Sequence, residues 1–400
     1  QDNLWKITIS KEYTDNIYAL REFHLDLRYE LVKEDREPRQ EGTALRCYAG
    51  DFGEPNAAFV INGEHYNASY GYDGFFRFVS DGEGGMYPVP AEVPGVSYDI
   101  EQNIMTLENA HLESLEITNQ WHDPETDEGG AHLPHGYFRL NLKGANIISA
   151  TDRHALFVNG NMHLAITGDG SLDITLAGDR NNTCHSAFEV NDADVTIEGN
   201  ARVTANISGV GYYEDENGRH RSDMAAIRIN GENRNLWLNQ AAELTTTVPA
   251  GACLNGYFAA DGSFREQGGY HGLQVPNLEI NDEAKLNTQS IHVWDEGLGN
   301  AFGRFTMNGG TVTVSGIPHY DPNFRNDKGT LGHYHFSGVD ANYGKIDMNG
   351  GTLNINMTAT PEQMTKSVYY HALQSRGRHL ALNGGEINVT GNFSGTGIKV

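Results

Sequence analysis

The chain has 400 residues, of which 53 are acidic and 28 basic, and its formal net charge is −25 at pH 7. This balance argues against nucleic acid as a partner, because phosphate binding requires a basic surface. The sequence contains no apolar window of about 18 residues, so no membrane-spanning segment is predicted. Three cysteines, Cys47, Cys184 and Cys253, are too few for a disulfide framework.

Residues 1–95 are predicted to form a small antiparallel β module that also caps the segment after it. From Phe23 to Leu31, apolar and polar residues alternate, which is typical of a half-buried strand. Further short strands are expected at 43–49, 58–61 and 75–79. A proline-rich linker, from Tyr87 to Pro94, leads into the second predicted domain, residues 96–400.

The second domain is predicted to be a right-handed parallel β-helix, a solenoid of stacked coils. Short strands are expected at 98–100 and 104–107, on either side of a turn. One phrase then recurs at Met307–Val314, Met348–Ile355 and Leu382–Val389. Each copy contains Asn-Gly-Gly, which suits a tight turn, followed by a strand of period two. Self-similarity at this scale indicates a solenoid.

A second phrase, a small residue followed by apolar, variable and apolar residues, marks another strand of the coil. It occurs at Ala155–Val158, Ala187–Val190, Ala226–Ile229, Gly272–Val275 and Gly397–Val400. The spacing implies coils of about 20–25 residues with insertions of variable length. Long insertions are expected at 121–135, 210–223, 249–269, 317–332 and 358–367. Such loops often carry the binding surface of a solenoid.

The segments Ser97–Asp99 and Asn103–Ala110, followed by coils bearing Asn-Gly-Gly, resemble a known family. These are extracellular parallel β-helix proteins of anaerobic bacteria, called carbohydrate-binding domain proteins. The resemblance covers residues 96–400 and implies a fold similar to that of polysaccharide lyases. Some members bind acidic plant polysaccharide and calcium. The resemblance therefore implies an extracellular or cell-surface protein that binds polysaccharide. We expect a signal peptide to have been removed before Gln1.

Aromatic residues in or near the insertions are the candidate carbohydrate-binding residues. Exposed rings stack on sugar faces, while acidic and amide groups orient the hydroxyls. The alternative is that these rings pin the loops to the solenoid wall. The candidates are Trp121, Tyr212, Tyr213, Trp294 and Tyr320.

Clusters of oxygen-bearing side chains on turns are the candidate calcium ligands. Asp215 and Asn217 precede Gly218 as in an EF-hand loop, but Tyr213 and Met224 occupy the first and twelfth ligand positions. The alternative is that these residues form a solvated acidic surface with no role in metal binding. The candidate metal ligands are Asp123, Asp127, Asp215, Asn217, Asp321 and Asp327.

Histidines recur just before the small residue of the second phrase, at His154, His271 and His371, with His335 as a candidate fourth member. If the strand is regular, His271 lies on the same face as Leu273 and points inward. The pattern favours a stacked, hydrogen-bonded histidine ladder near a corner of the coil. On adjacent rungs, about 4.8 Å apart, these imidazoles would alternatively share a transition metal.

Two further functions compete with non-catalytic polysaccharide binding. Residues 397–400 begin another coil without a cap, which predicts, as one alternative, that copies stack head to tail into filaments with Trp5–Ile9 as a pairing strand. A polysaccharide lyase would instead need a basic residue beside calcium, and Lys345, Arg376 and Arg378 are available. No nucleophile-elbow, Walker or zinc-protease motif occurs, and we expect no catalysis.

Overall fold

A computed structural model describes most of the chain after residue 55. The described ranges are 56–69, 74–80, 82, 86–119, 136–177, 180–181, 186–209, 211–215, 218–221, 224–249, 256–258, 264–265, 270–294, 303–316, 333–341, 344–358, 368–375, 379–392 and 395–399. Their regular elements are β-strands. These ranges hold no helix able to cross a bilayer. The strands expected at 23–31 and 43–49 and the three cysteines lie outside them.

The strands are numbered in chain order. Up to residue 118 they are β1 (Asn56–Ile61), β2 (Glu64–Ser69), β3 (Phe75–Ser80), β4 (Met86–Ala91), β5 (Val96–Asp99), β6 (Ile104–Glu108), β7 (His111–Leu112) and β8 (Leu115–Thr118). The next are β9 (Tyr137–Lys143), β10 (Ala145–Ala150), β11 (Leu156–Gly168), β12 (Ser171–Leu176), β13 (Arg180–Asn181), β14 (Ser186–Ile197), β15 (Arg202–Ile207), β16 (Gly211–Asp215), β17 (Gly218–Arg221), β18 (Met224–Asn230), β19 (Asn235–Leu238) and β20 (Glu243–Thr247).

The remaining strands complete the solenoid. They are β21 (Gly256–Phe258), β22 (Phe264–Arg265), β23 (Tyr270–Val275), β24 (Asn277–Ile280), β25 (Lys285–Thr288), β26 (Ile291–Val293), β27 (Arg304–Met307), β28 (Thr311–Val314), β29 (His333–Ala341), β30 (Lys345–Met348), β31 (Thr352–Met357), β32 (Val368–Ser375), β33 (His379–Leu382), β34 (Glu386–Gly391) and β35 (Gly395–Lys399).

From β6 onward each coil supplies three strands, and equivalent strands of successive coils pair in parallel. Ladder I contains β6, β9, the second halves of β11 and β14, β19, β24, β27, β30 and β33. Ladder II contains β7, β10, β12, β15, β20, β25, β28, β31 and β34. Ladder III contains β8, the first halves of β11 and β14, β18, β23, β26, β29, β32 and β35. The prediction of an all-β parallel β-helix is confirmed, with nine rungs in the described chain.

The core fills the space between the three ladders. Alternate side chains of most strands point inward, and on ladder III one such column runs Leu115, Leu156, Phe188, Ile227 and Leu273. All five are fully buried. Each such side chain contributes about 1.5–3 kcal/mol on burial, so the stacked apolar columns stabilise the solenoid.

The Asn-Gly-Gly turns stack on one another between ladders I and II. The side-chain amide of Asn349 donates to the oxygen of Asn308 at 2.8 Å, and that of Asn383 donates to Asn349 at 2.8 Å. Asn281 and Asn239 extend this ladder towards the N-terminus at the same spacing. The successive turns are therefore tied to each other by a continuous row of amides.

The antiparallel strands cover two edges of the first rung. β1 pairs antiparallel with β2 on one side and with β8 on the other, while β5 pairs antiparallel with β6. A head-to-tail contact between copies would need free pairing edges at this end, and in ladders I and III these edges are occupied. Trp5–Ile9 lies outside the described residues, and self-assembly stays a prediction.

The long insertions leave the coil at two corners. Those at 178–185, 210–223, 250–269, 317–332 and 359–367 lie between ladders II and III, and those at 120–135 and 295–302 lie between ladders III and I. The connections from ladder I to ladder II have four residues or fewer throughout the described rungs. One side of ladder I is therefore bordered only by tight turns.

Candidate functional site

The outer face of ladder I is a polar and aromatic surface, which we call the ladder I face. Because alternate residues point to opposite sides of a strand, the register places its side chains in columns. One column runs Tyr137, His163, Asp194, Asn235, Asn277, Arg304, Lys345 and His379, and the next runs Arg139, Ala165, Thr196, Trp237, Glu279, Thr306, Asp347 and Ala381. The asparagine ladder borders this face.

Three rings form a continuous row along the ladder I face. The ring centroids of Tyr137 and His163 are 5.1 Å apart, and those of His163 and Trp237 are 5.5 Å apart with an interplanar angle of 18°. His163 and Trp237 lie two rungs apart, and the indole spans the intervening rung because Thr196 there is small. His163 Nε2 lies 2.8 Å from Thr196 Oγ1. The guanidinium of Arg139 lies 5.9 Å from the Tyr137 centroid.

The indole of Trp237 is held from its other side by a carboxylate. Trp237 Nε1 donates to Glu279 Oε2 at 3.2 Å, and the amide of Asn308 donates to Glu279 Oε1 at 3.1 Å. Both carboxylate oxygens are thus engaged, and the ring is held between His163 and Glu279. From β9 to β24 this arrangement spans four strand spacings, about 19 Å. Trp237 and Tyr137 are half-buried, so the rings offer a partly exposed, preorganised surface.

The turn that precedes Trp237 is anchored by a fully buried carboxylate. Asp194 Oδ1 accepts hydrogen bonds from the backbone N–H and the side-chain amide of Asn235, both at 2.9 Å. Arg234 lies 3.9 Å from its other oxygen. A buried charge is costly unless it is hydrogen-bonded and paired, and here it fixes the start of β19, two residues before Trp237.

Further along the same face, Asp347 joins two basic side chains. Arg304 contacts Asp347 Oδ2 through Nε at 2.9 Å and through its terminal nitrogen at 2.8 Å, and His379 Nε2 lies 3.0 Å from Oδ1. Burial raises the pKa of Asp347, but hydrogen bonds from His379 and Arg304, together with their charges, outweigh burial and lower it below the usual value. The ionised carboxylate is therefore the favoured form.

Asp347→Asn is expected to lower the free energy of unfolding by about 1–2 kcal/mol near neutral pH, since it removes charged hydrogen bonds to half-exposed partners. Because the folded pKa is depressed, the stabilisation is complete above the unfolded value of about 3.9 and is lost as the pH falls through the folded value. Denaturation of both proteins between pH 3 and 7 would check this. The exposed Asp173→Asn is the control, and a constant difference across this range would contradict the assignment.

Of the predicted carbohydrate-binding residues only Trp294 has a described side chain, so their grouping stays a prediction. Trp294 lies on ladder III, with its ring 5.3 Å from that of His292. Tyr212 and Tyr213 lie in β16, which pairs with β17, and only its backbone is described. Trp121 and Tyr320 lie outside the described residues. The row of Tyr137, His163 and Trp237 was not predicted, because its members lie on coil strands and not in the insertions. Alternation around Leu236 and Leu238 was the available signal for Trp237.

The predicted calcium ligands fall almost entirely outside the described residues. Asp215 ends β16 and pairs with Gly218 in a tight hairpin. In the ranges the structure describes, no group of three or more His, Cys, Asp or Glu side chains is placed to hold a metal ion. Calcium stays a prediction. The residues outside are Asp123, Asp127, Asn217, Asp321 and Asp327.

The histidine ladder prediction is wrong. Ser186 and Ala225 occupy the register position of His271 on the two preceding rungs, and His154 Nδ1 contacts the carbonyl of Ser186 at 3.0 Å. His154 and His271 are therefore three rungs apart, about 14 Å, too far to stack or to share a metal. The repeated phrase predicted that these histidines occupy the same position of the coil. It did not show that other residues occupy this position on the rungs between them. His335 is also out of register, since it pairs with Tyr369.

The inward orientation expected for His271 is also wrong. Its ring centroid lies 4.8 Å from that of His292, which alternates with the core residues Ile291 and Val293 and so points outward. Strand β23 is irregular at Gly272. A Cβ at this position would point into the coil, towards Thr246 and Thr288 of ladder II. The small residue and the apolar one after it both face the core, which reverses the expected parity.

Comparison of the chain with protein-family models, curated proteins and solved structures gives no match. The family resemblance stays a prediction, and the ladder I face is the candidate binding surface. Of the basic residues considered for a lyase, Lys345 is exposed on this face between Arg304 and His379. Arg376 and Arg378 lie outside the described residues.

Proposed function

We propose that the protein is a non-catalytic, extracellular polysaccharide-binding protein whose ligand lies along the ladder I face. The observation that carries this proposal is the indole of Trp237, which is partly exposed, stacked on His163 and hydrogen-bonded to Glu279. A surface ring held in this way loses little conformational entropy when a ligand stacks on it.

The chemistry of the face suits a sugar chain. The C–H face of a pyranose ring is apolar and packs on an aromatic ring, while its hydroxyls require hydrogen-bonding groups at the edge. Beside Trp237 the face presents the hydroxyl of Thr306 and the side-chain amide oxygens of Asn235 and Asn277, whose amide nitrogens donate to Asp194 and to the carbonyl of Arg234, respectively. These groups extend along the solenoid axis at the spacing of the rungs, so an extended polymer meets similar groups at successive rungs.

Both faces carry a row of rings, and in the ladder III row of His271, His292 and Trp294 the two imidazoles are buried. On ladder I, Tyr137 and Trp237 are both half-buried and only His163 is buried, so a polymer meets more ring surface there. We propose that calcium assists binding on the basis of the family resemblance alone. Removing calcium with a chelator would show whether binding depends on it.

Trp237→Ala is expected to weaken polysaccharide binding by about 10- to 100-fold, equivalent to roughly 1.4–2.7 kcal/mol. Affinity electrophoresis and calorimetry on a panel of soluble xylan, mannan, β-glucan and polygalacturonate, with and without EDTA, would measure the loss. The matched control is Trp294→Ala, which removes an indole from ladder III and should leave affinity unchanged. Equal losses in both variants, or no binding to any polysaccharide, would contradict the proposed function.

A further inference from the structure

The outward side chains of ladder II form a second regular surface, on a different side of the coil from the ladder I face. The strands from β10 to β34 pair in parallel without a register shift, so equivalent residues follow one another in columns. From β15 to β34 the central outward column runs Thr204, Thr245, Asn287, Thr313, Asn354 and Asn388. The column beside it includes Asn206, Thr247, Asn356 and Thr390. We call these ten residues the neutral columns.

The neutral columns present only hydroxyl, methyl and carboxamide groups. Four of the ten residues are exposed and the other six are half-buried. Charged residues make up 20% of the chain, yet none occupies these ten positions. From β15 to β34 the charged residues of ladder II lie instead in its first outward column, at the corner with ladder I, where Lys285 pairs with Glu243 at 2.7 Å. The strands therefore keep charge away from two of their three outward columns.

This composition argues against the common kinds of partner. Nucleic acids and other charged surfaces are bound through opposite charge. Protein interfaces depend on a few aromatic, arginine or large apolar anchors, and sugar rings stack on aromatic side chains. The neutral columns offer none of these groups. Their repeated hydroxyls and amides instead suit a solid surface that is uncharged, periodic and made of hydrogen-bonding groups.

The spacing of the neutral columns is regular in two directions. Successive rungs are about 4.8 Å apart, and alternate residues of one strand, such as Thr245 and Thr247, are about 6.6 Å apart. On the prism plane of ice, water oxygens repeat along one axis at nearly the first distance, and along the other at a distance slightly longer than the second. The polar groups of several consecutive rungs can therefore lie over lattice positions of one ice face.

The strands also hold these side chains in place before a ligand arrives. Threonine is β-branched, which restricts its χ1 angle. The side-chain amide of Asn388 donates to the oxygen of Asn354 on the preceding rung at 3.1 Å. Side chains that are already ordered lose little conformational entropy when they bind, so many weak contacts with a lattice can add up.

We infer that the neutral columns are an ice-binding surface. Their hydroxyl and amide groups hydrogen-bond to water molecules at lattice positions, and the threonine methyl groups pack against the lattice between them. Protein adsorbed in this way prevents the crystal from growing where it is covered, which restrains growth and recrystallisation. The surface lies on ladder II and does not involve Trp237, so this activity is independent of the proposed polysaccharide binding.

Thr313→Lys tests the central column. Its side chain points outward, so the substitution adds a long charged side chain that holds the surface off the lattice without filling the core. Thr247→Lys makes the same change at an exposed position of the other column. The matched control is Thr167→Lys, at a half-buried threonine on ladder I. Thermal unfolding followed by circular dichroism would verify that all three variants are folded.

The experiment measures how much protein a growing ice crystal takes up. Fluorescently labelled protein would be placed around a slowly growing ice hemisphere, with labelled albumin as the inert reference, and crystal size would be followed during annealing. We expect the wild-type protein to be enriched in the ice over albumin and to inhibit recrystallisation. Each of Thr313→Lys and Thr247→Lys should lower uptake by about tenfold, because a protruding charge opposes close approach, and Thr167→Lys should not.

Three results would overturn the inference. Uptake of the wild-type protein equal to that of albumin would refute ice binding. Uptake of Thr313→Lys and Thr247→Lys equal to that of the wild type would show that the neutral columns do not contact the ice. Retention on microcrystalline cellulose or chitin that Thr313→Lys abolishes, without uptake into ice, would assign the columns to a neutral glycan lattice instead. Polysaccharide binding at Trp237 is measured separately and stands or falls on its own result.

Discussion

Phe59→Ala is expected to lower the free energy of unfolding by about 3–5 kcal/mol, the cost typical of removing a buried phenylalanine. Phe59 is 1% exposed and belongs to β1. Its ring lies 4.9 Å from Tyr98, 6.0 Å from Phe75 and 5.8 Å from Phe138, measured between centroids. These contacts join the antiparallel strands to the first coils, so the substitution loosens the cap as well as the core.

Loss of the cap has a consequence beyond stability. In a solenoid each rung is stabilised by its neighbours, and the terminal rung depends on its cap. Release of β1 would expose the pairing edge of β8, which favours aggregation. Denaturant unfolding monitored by circular dichroism, with light scattering, would measure both effects. Phe78→Ala is the control, because Phe78 is 49% exposed and its loss should cost less than about 1 kcal/mol. Similar losses in the two variants would contradict the capping role.

Gly351→Ala is expected to lower the free energy of unfolding by about 2–4 kcal/mol. Gly351 has a φ of 79°, where a side chain costs about 1–3 kcal/mol in strain. An added Cβ would also meet the carbonyl oxygens of Gly309 and Gly310 in the turn of the preceding rung. Those oxygens belong to the backbone and cannot move without disturbing the stacked turns.

Gly397→Ala is the matched control for the Gly351 substitution. No atom lies within 4 Å of the position its Cβ would take, and its φ is not positive. We expect a change within about 0.5 kcal/mol. The same denaturation experiment compares the two. A Gly351 variant as stable as the control would show that the turn relaxes freely and that the stacked turns add little to stability.

The repeated phrases predicted the solenoid because they carry both the turn and the strand. Asn308, Asn349 and Asn383 begin turns that stack in the structure as the repetition indicates. The two earlier members of the same ladder, Asn239 and Asn281, were missed because Gly-Gly does not follow them. Gln240 and Asp282 adopt positive φ there, 58° and 53°, a conformation tolerated by some polar residues.

The candidate site was harder to predict, because it depends on which residues lie side by side on successive rungs. Insertions of different lengths separate the rungs, so His163, Thr196 and Trp237 are distant in sequence yet adjacent on ladder I. Alternation shows that Trp237 faces outward but not that His163 stacks on it. The reversal of parity at Gly272 had no local signal, since it arises from packing against Thr246 and Thr288 of another ladder.

Hydroxyl-radical footprinting with mass spectrometry tests most directly whether polysaccharide lies on the ladder I face. The protein would be oxidised with and without saturating amounts of the polysaccharide that binds best, and the modification rates of Trp237 and Trp294 compared. We expect Trp237 to be protected several-fold while Trp294 is modified at the same rate in both samples. Full binding without protection of Trp237 would show that the polysaccharide does not lie on the ladder I face.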